Sequence, residues 1–482
     1  MMGRLTRAEW TALTCILLAV AVTRLISIYC FYLYDDAFIT FRYTANLVQG
    51  NGFVYTIGQR VQGTTCPLWA LALGIPHSLG LSLELSSRVL GLLFELAVAA
   101  TVYFALIREK LQRAALIGGF LFAVDLYLAK VSVSGMESSL LLLGTAGATA
   151  LAVRGRSMSA AAIAALCVFL RPEALLFAVA LTGYLWYEDR RLPVKPLLLG
   201  AAIILAGVAV QTWYFGDLIP QSVRGKMALP RSDSMLFSVA LFPYKNPLQA
   251  LMTVTALLSV RVAWRVSRFA RIYMLWALLL VLSWALTGAH LWMWYCIPVF
   301  FAKALLTGIG AAEYFKSTAL SRMLNPLLLL GVTVLLWSGL AMAVGPDRME
   351  KNVYSRIRRW SAEQDFGQNG AHPKAYGMDF GAFGFYTGLP VIDEPGLVYP
   401  PSLSRYHTDP VAMLLGEQPE WAFVTCYDGN IAMMRSGELA RMYAPLIRFS
   451  IDGDTTISPD LKDVSPIWKP DFILYRKLPG GS

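Results

Sequence analysis

YDDAFITFRYTANLVQGNGFVYTIGQRVQGTTCPLW, residues 34–69, follows the first apolar stretch of the chain directly and differs from everything around it. It opens on two adjacent carboxylates, Asp35 and Asp36. The spacing that follows predicts a helix, with Phe38, Phe41, Ala45 and Val48 on one face and Asp35, Arg42, Asn46 and Gln49 on the other. Such a helix is expected to lie along a membrane surface, apolar side in lipid and polar side toward water. Gly50, Gly52 and Gly58 then break it into a loop. An Asp ahead of an apolar periodic run is commonly a helix cap. A cap accounts for one aspartate and leaves the second, the arginine and the long polar loop without a role.

Outside this stretch the chain is apolar: of its 482 residues 56% are hydrophobic and 15% charged, and the mean hydropathy is +0.54. That composition excludes a soluble globule and predicts a polytopic α-helical membrane protein. Lys and Arg (41) exceed Asp and Glu (31), giving a net charge of +10. The basic residues cluster between apolar segments, as cytoplasmic loops do, so the excess reads as topology and no nucleic-acid partner is expected. The six cysteines, Cys15, Cys30, Cys66, Cys167, Cys296 and Cys426, lack metal-type spacing and read as packing residues. No small-residue cleavage pattern follows the first apolar stretch, which is expected to remain as an anchor.

Arg4 and Arg7 precede that first span, residues 12–32, and the positive-inside tendency puts the N-terminus in the cytoplasm with Asp35 and Asp36 outside. Segment 67–81 is interrupted by Gly74 and Pro76 and is shorter than the about twenty apolar residues a span needs. It is expected as a re-entrant or surface helix, making 34–81 the first outer loop with juxtamembrane helices. Further spans are expected near 87–107, 114–130, 138–153, 159–170, 174–187, 197–215, 247–260, 272–287, 291–311 and 326–344, about eleven with the first. On this count the basic groups at 108–113, 154–156, 190–195, 261–271 and 316–322 all fall on the cytoplasmic side. Residues 1–345 then form a transmembrane catalytic domain. Residues 346–482, which lack a span-length run, form a small extracytoplasmic α/β domain. Within it 353–364 reads as helix and 374–380, 420–425 and 471–477 as strands. The Gly- and Pro-rich segment 381–397 reads as turns, either near an active surface or in an ordinary connection.

The same parity gathers Glu137, the triplet Arg171-Pro172-Glu173, the stretch 213–226 and His290 on the face that holds the two aspartates. Charges at the edge of an apolar bundle are costly unless paired or facing a cavity. Each alone has an ordinary explanation: Arg171 snorkelling and pairing with Glu173, His290 in an interfacial aromatic belt, Glu137 at a helix start. Together they suit the transfer of a sugar from a polyprenyl phosphate. That reaction needs a carboxylate to deprotonate the acceptor hydroxyl and cations to hold the departing phosphate. Asp35 or Asp36 meets the first need, and Arg42, Arg171, Arg224 and Lys226 are candidates for the second. The other aspartate would stabilise positive charge developing on the sugar. Tyr43, Glu137, Glu173 and His290 are candidate substrate contacts. A divalent cation on Asp35 and Asp36 is an open alternative. The expected partners are the lipid bilayer, a polyprenyl-phosphate-linked sugar and a glycan or protein acceptor. A transporter or flippase of lipid-linked sugars is the rival reading, since intramembrane charges also mark substrate paths.

The stretch DDAFITFRYTANLVQGNGFVYTIGQRVQG, with SGMES at 134–138, RPE at 171–173, YFGDLIPQSVRGK at 214–226 and GLPVIDEPGL at 388–397, resembles the GT-C superfamily of lipid-linked glycosyltransferases. Within it the chain is most similar to the branch of the mycobacterial terminal β-(1→2)-arabinofuranosyltransferase and the pseudomonad pilin arabinofuranosyltransferases. The resemblance implies a GT-C-like bundle with a small outer C-terminal domain in a bacterial inner membrane. It also implies an inverting enzyme that uses polyprenyl-phosphoryl arabinofuranose, with a catalytic aspartate at Asp35 or Asp36; a mannosyltransferase of the same superfamily is the alternative. Members usually show Glu-Gly-Tyr-Thr/Ser-Asn where this chain has Gln62-Gly63-Thr64-Thr65-Cys66.

Overall fold

Each segment expected to cross a bilayer is largely helical in the computed structural model, which describes residues 5–228, 236, 240, 247–288, 290–316, 325–344, 353–364, 366, 374–426, 428–450, 456–457 and 471–479. Arg4, Arg322 and the expected domain boundary at 345 lie outside the described residues. Among the described residues six helices are long and apolar enough to span a membrane: α1 (Arg7–Cys30), α4 (Leu83–Arg108), α10 (Val194–Phe215), and Pro247–Val266, Arg268–Thr287 and Ile297–Tyr314. A seventh span arises if α5 (Gln112–Val124) and α6 (Leu126–Ser132), bent by 65° at their junction, are taken as one. The remaining expected spans are shorter helices, among them α7 (Ser138–Val153), α8 (Ser157–Cys167) and α9 (Ala174–Asp189).

The bend has a chemical cause. Asp125 sits at the junction and caps α6, its carboxylate accepting from the Leu128 amide at 2.8 Å and from Gln249 Nε2 at 2.9 Å. Breaking the ladder frees carbonyls, and Arg24 of α1 donates to those of Phe122 (3.2 Å) and Ala123 (2.7 Å). Its guanidinium is paired in turn with Glu95 of α4 at 2.7 Å, both side chains being buried. Ser139 of α7 donates to the second Glu95 oxygen at 3.2 Å. Arg24→Ala would leave a buried carboxylate without its counter-charge and two carbonyls without a donor. A loss of about 3–5 kcal/mol is expected, read as a lowered unfolding midpoint of the detergent-solubilised protein; an unchanged midpoint would show that the knot carries no stability.

α2 (Asp35–Val48) begins at the first aspartate, as the periodicity predicts, and α3 (Pro67–Ser78) is the short helix expected after it. Twelve residues extend only ~18 Å, less than a hydrocarbon core. The environment of α2 differs from the expectation of a helix lying in the membrane surface. Phe38 and Phe41 do not face lipid: Phe38 packs edge-on or tilted against Tyr354, Phe385 and Tyr386, and Phe41 against Phe385. The helix is covered by the C-terminal part of the chain, because an apolar face specifies burial without specifying the cover. Gly135, at φ +90°, lets the 134–138 turn close over Ala37 and Phe41 where a side chain has no room, and Trp69 Nε1 donates to its carbonyl at 2.9 Å.

The C-terminal domain is built on a six-stranded mixed sheet of order β2-β1-β3-β6-β4-β5. β1 (Ala375–Gly377) runs parallel to β2 (Val391–Asp393) and β3 (Trp421–Thr425). β6 (Phe472–Lys477) is antiparallel to β3 and to β4 (Tyr443–Phe449), and β5 (Thr456–Ile457) closes the edge. Phe383, Phe423 and Phe472 stack at 4.7 and 4.6 Å between ring centres in its core. The segment expected as turns at 381–397 instead holds the helix Gly381–Thr387 and β2.

Candidate active site

The two aspartates at the start of α2 have different surroundings. Asp35 accepts from the backbone amides of Gly381 (2.7 Å) and Ala382 (2.9 Å), at the N-terminus of the helix Gly381–Thr387. Gly381 has to lack a side chain there, because a Cβ would collide with the Asp35 backbone. Arg42 lies seven residues further along α2, about 10 Å on at ~1.5 Å per residue. It donates to the carbonyls of Gly384 (2.7 Å), Gly388 (2.8 Å) and Leu389 (2.7 Å), at the other end of the same seven-residue helix. A carboxylate at the N-terminus and a guanidinium at the C-terminus both complement the helix dipole. One face of α2 thus clamps a helix of the C-terminal domain at both ends. Burial pushes the Asp35 carboxyl up to about 7, Asp379 adding to the rise and the two amides opposing it.

Asp36, one residue on, turns to the other side and lines a cavity of about 730 Å³. Among the described residues it makes no hydrogen bond or ion pair. Lys226, from α11 (Gln221–Met227), borders the same cavity and donates to the Tyr295 hydroxyl at 2.8 Å. Burial works against the lysine's charge, but the Tyr295 hydroxyl and Asp36 prevail and hold its pKa above the ordinary value. Arg171 lies beside it, 4.3 Å from the Tyr295 ring centre, donating to the Trp294 carbonyl at 2.7 Å. Its Nε is 2.8 Å from Glu173 and 3.4 Å from Glu137, which also line the cavity. His290 faces the cavity from the segment leading to this aromatic run.

The other walls are apolar or hydroxylic. Trp284, Leu286, Leu291, Trp292 and Met227 supply an apolar side. Thr40, Thr64 and Cys66 form a hydrogen-bonded trio at 3.1–3.3 Å. Ser222 Oγ and Trp294 Nε1 are buried, border the cavity and have no hydrogen-bond partner among the described residues, as expected of groups awaiting a polar ligand.

Several loops hold this geometry. Tyr43 is not in the cavity: its hydroxyl donates to the Val61 carbonyl at 2.6 Å and accepts from the Gly63 amide at 2.8 Å, fixing the loop that presents Thr64 and Cys66. Asp393 is fully buried and accepts from the amides of Leu397, Val398 (3.0 Å) and Tyr399 (2.7 Å). That bend packs on α11, where Gln221 donates to the Gly396 carbonyl at 2.7 Å, and brings Leu397 to the cavity wall.

Of the residues expected from sequence, the structure brings together Asp36, Glu137, Arg171, Glu173, Lys226 and His290. Asp35, Arg42 and Tyr43 stand behind the wall, occupied by backbone groups. Arg224 lies on the surface, half-exposed and paired with Asp217 at 2.8 Å. Asp35 and Asp36 do not present a joint face to a cation, since both oxygens of Asp35 are taken by amides. Among the described residues no group of three or more His, Cys, Asp or Glu side chains is arranged for a metal. Tyr295, Trp294, Ser222 and the Thr40–Thr64–Cys66 trio escaped the sequence analysis. The aromatic run after His290 looks like an interfacial belt, and isolated hydroxyls carry no local signal. All six cysteines are buried, and among the described residues none is joined in a disulfide.

No family model and no curated protein matches the sequence. Solved structures do match. ArnT from Cupriavidus metallidurans bound to undecaprenyl phosphate aligns with a TM-score of 0.64 over 99% of this chain and 99% of that one, at 13% identity. The same protein in the apo state gives 0.61 over 96% and 97%, also at 13% identity. The oligosaccharyltransferase of Archaeoglobus fulgidus in complex with Zn and sulfate gives 0.50, covering 97% of this chain and 75% of that one at 13% identity. The chain therefore has the GT-C-like fold expected from its motifs: a polytopic helical bundle carrying a small α/β domain.

Proposed function

We propose that this chain is a membrane glycosyltransferase. It moves a sugar from a polyprenyl-phosphate donor to an acceptor hydroxyl on the outer side of a bacterial inner membrane. By the resemblance of its motifs the sugar is D-arabinofuranose and the acceptor a cell-wall glycan or pilin-like protein. The observation that carries this reading is the pairing, across one cavity, of an unengaged carboxylate on Asp36 with the cations of Lys226 and Arg171. Asp36 takes the acceptor hydroxyl proton as its oxygen attacks the anomeric carbon, with inversion. The bond from that carbon to the phosphate oxygen breaks. The polyprenyl phosphate leaves with the electron pair, its growing charge held by Lys226 and Arg171. The apolar wall suits the isoprenoid tail, and the likeness in fold to ArnT holding undecaprenyl phosphate supports a lipid-phosphate donor.

The test is incubation of the purified protein with radiolabelled polyprenyl-phosphoryl arabinose and, separately, mannose, with and without a chelator. Transfer from arabinose is expected; transfer from mannose alone would move the substrate to the hexose, and transfer from neither would refute the proposal. Lys226→Ala is expected to raise the donor KM about tenfold or more, the worth of one charge-assisted hydrogen bond, and to leave the acceptor KM near its original value. Equal effects on both would remove Lys226 from the phosphate site. Arg171→Ala should act in the same direction while also releasing Glu137, Glu173 and the Trp294 carbonyl.

A further inference from the structure

The other end of the bundle has a second cavity, of about 380 Å³, between the C-terminal ends of α4 and α7 and the turn that opens the helix Arg268–Thr287. Arg108, Arg154 and Arg268, one from each element, line it over a floor of alanines and valines. The helix Arg268–Thr287 has 20 residues, and its far end borders the Asp36 cavity, so the two cavities lie about 30 Å apart.

We infer that this second cavity binds a phosphate-bearing anion. Arg108 and Arg154 have no hydrogen-bonding or ion-pair partner among the described residues, and Arg268 makes a long contact to Glu188 at 3.6 Å and is attracted by Glu109. The one carboxylate in the lining, Glu109, is already used: it accepts from the Ser267 hydroxyl at 2.6 Å and the Phe269 amide at 3.1 Å. Three arginines thus border one space, and the one carboxylate among its described lining residues is already hydrogen-bonded. Burial, and then the charges of Arg108 and Arg156, press the Arg154 guanidinium below its ordinary pKa, a strain an anion would relieve. The guanidinium fork matches phosphate oxygens in pairs. The apolar floor leaves space for more than a bare ion, so a phosphodiester headgroup and a small phosphate compound share the required chemistry. The site is independent of the transfer proposed for the opposite end. Basic side chains that merely set topology would hold neither ligand.

The test uses the full-length protein in an uncharged detergent, titrated with inorganic phosphate, with short-chain phosphatidylglycerol and with short-chain phosphatidylcholine while the unfolding midpoint is followed. Phosphatidylglycerol is expected to raise the midpoint, and Arg108→Gln and Arg154→Gln each to weaken its apparent affinity about tenfold or more. Arg154→Lys, which keeps the charge without the fork, should fall between. Arg191→Gln, a charge-matched change in another basic loop, should follow the wild type. A rise with inorganic phosphate as well would assign the site to small phosphate compounds, and a rise with the lipid alone to a headgroup. The inference is overturned if neither anion raises the midpoint, if phosphatidylcholine does so equally, or if the arginine variants titrate like the wild type.

Discussion

Asp36→Asn is expected to lower transfer by roughly 10³-fold, within the range seen when a general base is removed, while the unfolding midpoint stays at its wild-type value. Asparagine matches aspartate in shape but cannot take the acceptor proton. Because the Asp36 carboxylate makes no hydrogen bond or ion pair among the described residues, its replacement breaks no direct contact and removes only its attraction for Lys226. The competing carboxylates are less available: Glu137 and Glu173 both face Arg171, at 3.4 and 2.8 Å, and Asp35 is held by two amides. Initial rates with donor and acceptor varied separately, alongside thermal unfolding of each variant, discriminate between the twins. Near-normal turnover in Asp36→Asn, together with an inactive but fully stable Asp35→Asn, would transfer the role of base to Asp35.

How the sequence conveyed this site depends on the kind of information each residue carries. The start of α2, the short α3 and strands β1, β3 and β6 were legible because their signals are local: an aspartate before a periodic run, a proline-broken apolar segment, and runs of aromatic and β-branched residues. Arg42 and Arg171 look alike in sequence, each the one basic residue of a largely apolar run. What separates them is that one meets three carbonyls contributed by residues more than 340 positions away and the other meets a cavity. The helix Gly381–Thr387, GAFGFYT, has two glycines and three aromatics and little intrinsic helical preference. It forms because α2 supplies groups for its ends, which no window around 381 reveals. Arg24, Glu95 and Asp125 did carry a signal, since charges inside apolar segments are costly, but only the structure shows that they answer one another.

The clamp on that helix gives the other large effect. Arg42→Ala leaves the carbonyls of Gly384, Gly388 and Leu389 without their donor and removes the guanidinium from the Tyr55 ring, 4.2 Å away. Charge-assisted hydrogen bonds are worth about 1.5–3 kcal/mol each, so a loss on the order of 3 kcal/mol or more is expected in the hold of the C-terminal domain on α2. It should appear as faster hydrogen exchange of the Gly381 and Ala382 amides, which Arg42 does not touch. Asp35→Ala should have the same result from the other end, and the double variant should cost clearly less than the two single losses added together, since both residues hold one helix. The pH dependence separates them. The Asp35 carboxyl is pushed up to about 7, by burial first and then by Asp379, from an unfolded value of about 3.9. An acid whose folded pKa is raised favours the folded state most when protonated. Its contribution is full below about pH 4 and is lost as the pH rises through about 7. Arg42→Ala retains that decline and Asp35→Asn removes it. If Arg42 instead held the donor phosphate, its alanine variant would raise the donor KM while amide exchange at 381–382 and the unfolding midpoint stayed as in the wild type.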